Sequence, residues 1–269
     1  MDKRPIGVFD SGLGGLTVVK KLAEILPGED IVYLGDTGRV PYGSRSRETI
    51  IKYALQDAAF LEDFNIKAMV IACNTVCSVA SGFLKEKYNI PIFEVVSAPV
   101  KSAAEQTKNK KIGVIGTAAT IRSGTYETTL KNLDPELTVY SVSCPLFVPL
   151  VEEGWITPDN EATFSAAVQY LGKLRESGID TLILGCTHYP LLRDVIAKVM
   201  GPDVILIDSG AETAKYVAAG LDGQNLLCGS GLDGSIKYYV TDSIENFSDV
   251  ASKYLESDVI GMVGLVSLE

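Results

Sequence analysis

The chain has 269 residues, a formal net charge of −10, 46% apolar residues and 22% charged ones. That usage is globular and excludes a disordered chain, and the length suits one large domain or two of ordinary size. The longest apolar-looking stretch, Val259 to Leu268, is broken by Gly261 and Gly264 and falls far short of the roughly 20 residues of a membrane span. MDKRPIGVFD at the start holds no apolar core of signal-peptide length. We therefore expect a cytoplasmic protein with no membrane partner. Lys and Arg are scattered, KNKK at 108–111 being their only cluster. Without a basic stripe, nucleic acid is not expected as a partner. An acidic small molecule remains possible, because the field inside a site decides rather than the total charge.

Short apolar runs alternate with longer amphipathic ones, the pattern of an α/β protein with mostly parallel strands. In chain order the predicted strands are Ile6–Phe9, Ile31–Leu34, Ala68–Ala72, Ile92–Val95, Ile112–Ile115, Thr138–Ser141, Thr181–Leu184, Val204–Ile207 and Lys237–Val240. Helical periodicity runs through Glu48–Phe64, Ala162–Leu174 and Leu191–Val199. Ile6-Gly-Val-Phe-Asp-Ser is answered by Ile112-Gly-Val-Ile-Gly-Thr. Met69-Val-Ile-Ala-Cys73-Asn-Thr is answered by Leu182-Ile-Leu-Gly-Cys186-Thr-His. The expected architecture is two similar doubly wound, mostly parallel domains related by pseudo-two-fold symmetry, with the active site between them. The first domain comprises residues 1–96 plus 209–269 and is discontinuous. The second comprises residues 97–208. The tail carries helix, strand and helix signals and is expected to return to the first domain.

Cys73 and Cys186 each follow a buried-type strand and precede small polar residues and a helical pattern. Each thiol is thus expected at the carboxyl end of a strand beside a helix N-terminus, where α/β sheets bind ligands and where the N–H groups favour an anion. The alternative is a pair of buried core cysteines. Asp10 to Thr17, DSGLGGLT, follows the first strand but is neither a dinucleotide fingerprint nor a P-loop. It is either a tight turn capped by Asp10 or an anion-holding loop with a carboxylate at its mouth. Tyr33–Arg47 is a polar, Gly- and Tyr-containing loop of the kind that lines sites. Thr117 and Thr120 stand in the second half where Asp10-Ser11 stand in the first. His188 lies two residues from Cys186, within range of a Cys/His pair. Glu152 and Glu153 neighbour Trp155, the only Trp. Cys77, Cys144 and Cys228 lack a comparable setting and are expected to be structural. With five cysteines, no CxxC and a single His, neither a disulfide framework nor a metal site is expected.

Together these motifs resemble the aspartate/glutamate racemase family, and within it the glutamate racemases of bacterial cell-wall synthesis. The matching pieces are IGVFDSGLGGLTV (6–18), YLGDTGRVPYGSRS (33–46), IACNTVCS (71–78), IGVIGT with Thr120 (112–120), PLVEEGW (149–155) and LGCTHYPLL (184–192). The resemblance implies a cofactor-independent, metal-free racemase that interconverts L- and D-glutamate and supplies D-glutamate for peptidoglycan. It implies that Cys73 and Cys186 are the two acid/base thiols, assisted by Asp10, His188 and Glu152. Asp10, Ser11, Tyr42, Gly43, Asn74, Thr75, Thr117, Thr120, Thr187 and His188 are implied to hold the substrate. A homodimer is expected from the family.

Two thiols make physical sense for inverting a stereocentre. A proton must leave one face of a carbon and arrive at the other, and one base cannot easily reach both. Two equivalent groups on opposite walls of a cleft can, one entering as thiolate and the other as thiol. Three rivals remain at this point: a racemase for another amino acid such as aspartate, a Cys-nucleophile hydrolase using Cys186 and His188, and a non-catalytic binder of dicarboxylic acids.

Overall fold

The computed structural model describes residues 2–229, 231, 233–255, 259 and 261–268. The chain begins β1 (Ile6–Asp10), α1 (Leu16–Ile25), β2 (Ile31–Gly35), α2 (Arg47–Glu62), β3 (Ala68–Ile71), α3 (Asn74–Lys87), β4 (Ile92–Glu94). Helix α4 (Ser97–Gln106) leads into β5 (Lys111–Gly116), α5 (Ala118–Ser123), α6 (Thr125–Leu133), β6 (Thr138–Ser143), α7 (Phe147–Glu152), α8 (Glu161–Glu176), β7 (Thr181–Gly185), α9 (Arg193–Met200) and β8 (Ile205–Asp208). The chain closes with α10 (Ser209–Gly223), β9 (Ile236–Val240), α11 (Ile244–Leu255) and β10 (Val263–Leu265).

These strands form two sheets, and every pairing is parallel. One has the order β10-β9-β2-β1-β3-β4 and the other β6-β5-β7-β8. Within each run of four successive strands the order is the same: second, first, third, fourth. Sheets of this kind are covered by helices on both faces, so their central strands read as continuous apolar runs rather than as alternation. All residues of β1, β2, β3 and β7 are buried accordingly. Each fully buried Ile, Leu or Val among them stabilises the fold by about 1.5–3 kcal/mol.

All nine strands expected from the sequence are present, with ends that differ by a residue or two. Strand β9 pairs with β2, so the tail does return to the first sheet. The pattern at Leu191–Val199 divides into a 3₁₀ turn at Tyr189–Leu192 followed by α9. Strand β10, which pairs with β9, is an addition to the expected set. It has three residues with Gly264 at its centre, too short and too weakly patterned to announce itself.

The repeat extends to packing detail. Gly7 and Gly113 are the second residues of matching runs, Ile6-Gly-Val and Ile112-Gly-Val. A Cβ on Gly7 would come within 2.8 Å of Ile66, two residues before β3. A Cβ on Gly113 would collide with Ile179, two residues before β7. In both sheets the missing side chain lets an isoleucine lie flat against the first strand.

Candidate active site

The two sheets put their strand ends on one shared cavity. Asp10 closes β1, Cys73 follows β3, Thr117 follows β5 and Cys186 follows β7. The common strand order makes Ser11 the counterpart of Thr117 and Cys73 the counterpart of Cys186. The cavity measures about 520 Å³, within the ordinary range for a small-molecule site. Ser11, Tyr42, Gly43, Cys73, Asn74 and Thr75 line it from the first sheet's side. Thr117, Glu152, Cys186, Thr187 and His188 line it from the second.

Around Cys73 the polar partners are a hydroxyl and an acid. The Cys73 thiol donates to Ser11 Oγ at 3.4 Å. Burial and the nearby Asp10 charge push this thiol up to about 12, against the pull of hydrogen bonds that Ser11 and Val76 offer to its thiolate form. Asp10 itself is 1% exposed, and its Oδ2 accepts from the backbone N–H of Gly12 at 3.3 Å and Gly15 at 2.9 Å. Its Oδ1 is buried without a partner among the described residues. Burial raises the Asp10 carboxyl, and the charge of His188 pulls it back.

Around Cys186 the partner is an imidazole. Cys186 Sγ lies 3.9 Å from His188 Nδ1, and His188 Nε2 lies 3.4 Å from Glu152 Oε1. The latter is an ion-pair separation longer than a formed hydrogen bond. Burial alone would lower the His188 pKa. The Cys186 sulfur, Glu152 and Asp10 outweigh it and raise the value to about 10. These neighbours favour the protonated imidazole, a cation set beside the second sulfur. The first sheet helps to hold this segment: Thr17 Oγ1 donates to the Thr187 carbonyl at 3.0 Å. Gly14 packs so closely on Thr187 and His188 that a Cβ there would clash with both side chains.

Hydroxyls and amides bridge the two sides. Thr75 Oγ1 is 3.0 Å from Thr117 Oγ1, which is 3.0 Å from Thr120 Oγ1. Asn74 accepts at Oδ1 from Tyr126 Oη at 2.5 Å, while its Nδ2 is buried with no partner among the described residues. A buried donor left unpaired beside a cavity is a ready contact for an acceptor such as a carboxylate. Among the described residues no group of three or more His, Cys, Asp and Glu is placed to hold a metal ion.

The family described as Asp/Glu/hydantoin racemase matches residues 6–217. The chain belongs to the Asp/Glu/hydantoin racemase family. It is 46% identical to a glutamate racemase of Geobacter metallireducens, over 100% of this chain and 98% of that protein. Its fold is similar to that of a glutamate racemase isoform from Bacillus anthracis, with a TM-score of 0.95, 39% identity and coverage of 100% and 99% of the two chains. A glutamate racemase of Francisella tularensis, solved in complex with D-glutamate, gives a TM-score of 0.93 and 41% identity over 100% and 99%. This racemase-family chain thus shares its two-sheet architecture with those structures along its whole length.

Of the residues singled out from the sequence, Asp10 and Thr120 are not on the cavity surface. Asp10 sits behind Ser11 and Cys73, and Thr120 sits behind Thr117. Val40 and Pro41 line the wall from the Tyr33–Arg47 loop, as expected of it, whereas Arg122, Val148 and Pro149 were not singled out as site residues. Cys144, expected to be structural, also lines the cavity, and its carbonyl accepts from Tyr189 Oη at 3.0 Å. One signal could have found it. Cys144 follows the strand Thr138–Ser143 just as Cys73 and Cys186 follow theirs. Among the described residues no helix is long and apolar enough to cross a membrane.

Proposed function

We propose that this chain is a glutamate racemase, interconverting L- and D-glutamate by proton exchange at Cα between Cys73 and Cys186, with neither metal nor cofactor. The observation that carries the reading is the pair of cysteines at equivalent strand ends of two like sheets, both bordering one cavity. The relatives named glutamate racemase, and the D-glutamate complex of one, support the choice of substrate.

In this reading one sulfur takes the Cα proton as thiolate while the opposite one, as thiol, delivers a proton to the other face. The roles exchange for the reverse reaction. Positioned proton transfer of this kind contributes about 10²–10⁴-fold. The remainder falls to donors that stabilise the carbanion-like state in a site closed to water. Asn74 Nδ2, the Thr75–Thr117 hydroxyls and the Gly43 backbone suit carboxylate binding. Asp10 acts from behind Cys73, and the His188–Glu152 pair serves Cys186. The domain division that accompanies this reading is 1–96 with 209–269 and 97–208, each contributing one thiol. We assign the product to peptidoglycan synthesis, as the resemblance of its motifs to the glutamate racemases implies.

The test is to incubate the purified protein with each enantiomer of glutamate and of aspartate and follow chirality. The proposal expects interconversion of glutamate, with aspartate slower by about 10–200-fold, the usual discrimination for one methylene. Preferred turnover of aspartate, or no racemisation of either, would contradict it. A trapped acyl-enzyme at Cys186 would instead support a hydrolase.

A further inference from the structure

The cavity wall at Tyr42 and Gly43 is held from behind by a buried cluster that none of the proposed chemistry uses. The side chains of Asp36 and Asp57 are 0% exposed. Arg39 serves both. Its Nε donates to Asp36 Oδ2 at 2.6 Å, its Nη2 to Asp57 Oδ1 at 2.9 Å and its Nη1 to Gln56 Oε1 at 2.6 Å. Its guanidinium carbon sits 4.1 Å over the Tyr53 ring. Tyr42 Oη makes a short hydrogen bond to Asp36 Oδ2 and lies 3.0 Å from Asp57 Oδ2.

The proton inventory of this cluster does not close if both carboxyls are ionised. Two buried negative charges would face a single guanidinium, and an uncompensated buried charge is strongly unfavourable. A phenol also carries only one proton, so Tyr42 cannot donate fully to two carboxylates. The donors decide which acid is charged. Asp36 receives Arg39, Tyr42 and, at Oδ1, Thr241 Oγ1 at 2.8 Å. Apart from the Tyr42 contact, Asp57 has only Arg39 among the described residues.

We propose that Asp57 is a neutral carboxylic acid that donates its proton to Tyr42 Oη, making it a positioning residue for the Tyr42–Gly43 wall of the cavity. The hydrogen bonds then run one way, from Asp57 to Tyr42 to Asp36, with Arg39 neutralising Asp36. The charged and titratable groups bearing on Asp57 agree in balance. Burial, Asp36 and Asp10 push its carboxyl well above the usual range, against Arg39 and Tyr42. Fixing the phenol matters because the next residue, Gly43, abuts the other sheet. A Cβ on Gly43 would lie 2.9 Å from Thr117. The catalytic consequence rests on the racemase reading, whereas the proton's location does not.

Asparagine at 57 reproduces the neutral acid: its amide oxygen accepts from Arg39 and its NH₂ donates to Tyr42. Asp57→Asn is therefore expected to keep kcat/KM within about threefold, while Asp36→Asn and Asp57→Ala raise KM by about tenfold or more with a smaller change in kcat. Equal losses in Asp57→Asn and Asp36→Asn would overturn the proposal, as would an Asp57→Asn protein that fails to fold when Asp36→Asn folds. The proton is read directly, without turnover, by ¹³C spectra of protein labelled at aspartate carboxyls. At neutral pH one resonance should report a carboxylic acid, vanish in Asp57→Asn and persist in Asp10→Asn. Only carboxylate resonances, or an acid resonance lost in Asp10→Asn and kept in Asp57→Asn, would refute it. A protein inactive on glutamate would leave this spectral result standing, so the two proposals fail separately.

Discussion

The two halves of the cavity share a topology and differ in charge. On the first sheet's side Cys73 sits with a hydroxyl and in the field of a buried acid, Asp10, and its thiol is pushed up to about 12. On the second sheet's side Cys186 sits with the His188 imidazole, which faces Glu152 and whose pKa its neighbours raise. Strand order brings the two sulfurs to matching places, and the residues around them give each a different polar environment. On the proposed two-base reading either sulfur enters a turnover as thiolate with the other as thiol, so each of these unlike environments has to support both states.

Five substitutions sharpen or break that comparison, from the largest expected effect to the smallest. Cys73→Ser and Cys186→Ser should each lower racemisation by at least about 10²–10⁴-fold, measured by chirality change from either enantiomer. Full activity in one of them would mean that its half is a bystander. His188→Asn should lower kcat by about 10–100-fold, since it removes the cation beside Cys186 but leaves the sulfur. It should also change stability against pH. Because the folded-state pKa of His188 is raised from 6.5 to about 10, its stabilisation is complete below pH 6.5 and lost as the pH rises toward 10. Denaturation across that window should steepen the loss in the parent protein and flatten it in His188→Asn. Gly14→Ala should displace Thr187 and His188 together and lower kcat about tenfold, with Cys73 alkylation unaffected. Glu152→Gln should cost no more than about fivefold, because the ion pair is long and Glu152 is one-third exposed.

Much of this arrangement was legible in the chain itself. The strands are runs such as Ile6–Phe9 and Leu182–Leu184 whose burial follows from apolarity alone, and the paired IGV and Cys motifs revealed the repeat. The residues after each strand end gave most of the cavity for the same reason. What escaped was of two kinds. Strand β10 exists only because β9 offers it an edge, which no local pattern in Val263–Leu265 encodes. Arg122, Val148 and Pro149 reach the cavity through helix placement, a tertiary fact with no period or spacing of its own. Asp10 illustrates the converse. Its neighbours mark a strand end at the site, yet its carboxylate turns inward to the Gly12 and Gly15 amides.

The central claim, two sulfurs serving opposite faces of one carbon, is tested most directly by turning over L-glutamate in deuterium oxide and stopping early. With two bases, the D-glutamate formed carries deuterium at Cα while the recovered L-glutamate remains protiated. Deuterium entering the recovered substrate as fast as the product, or product that retains the original proton, would contradict it.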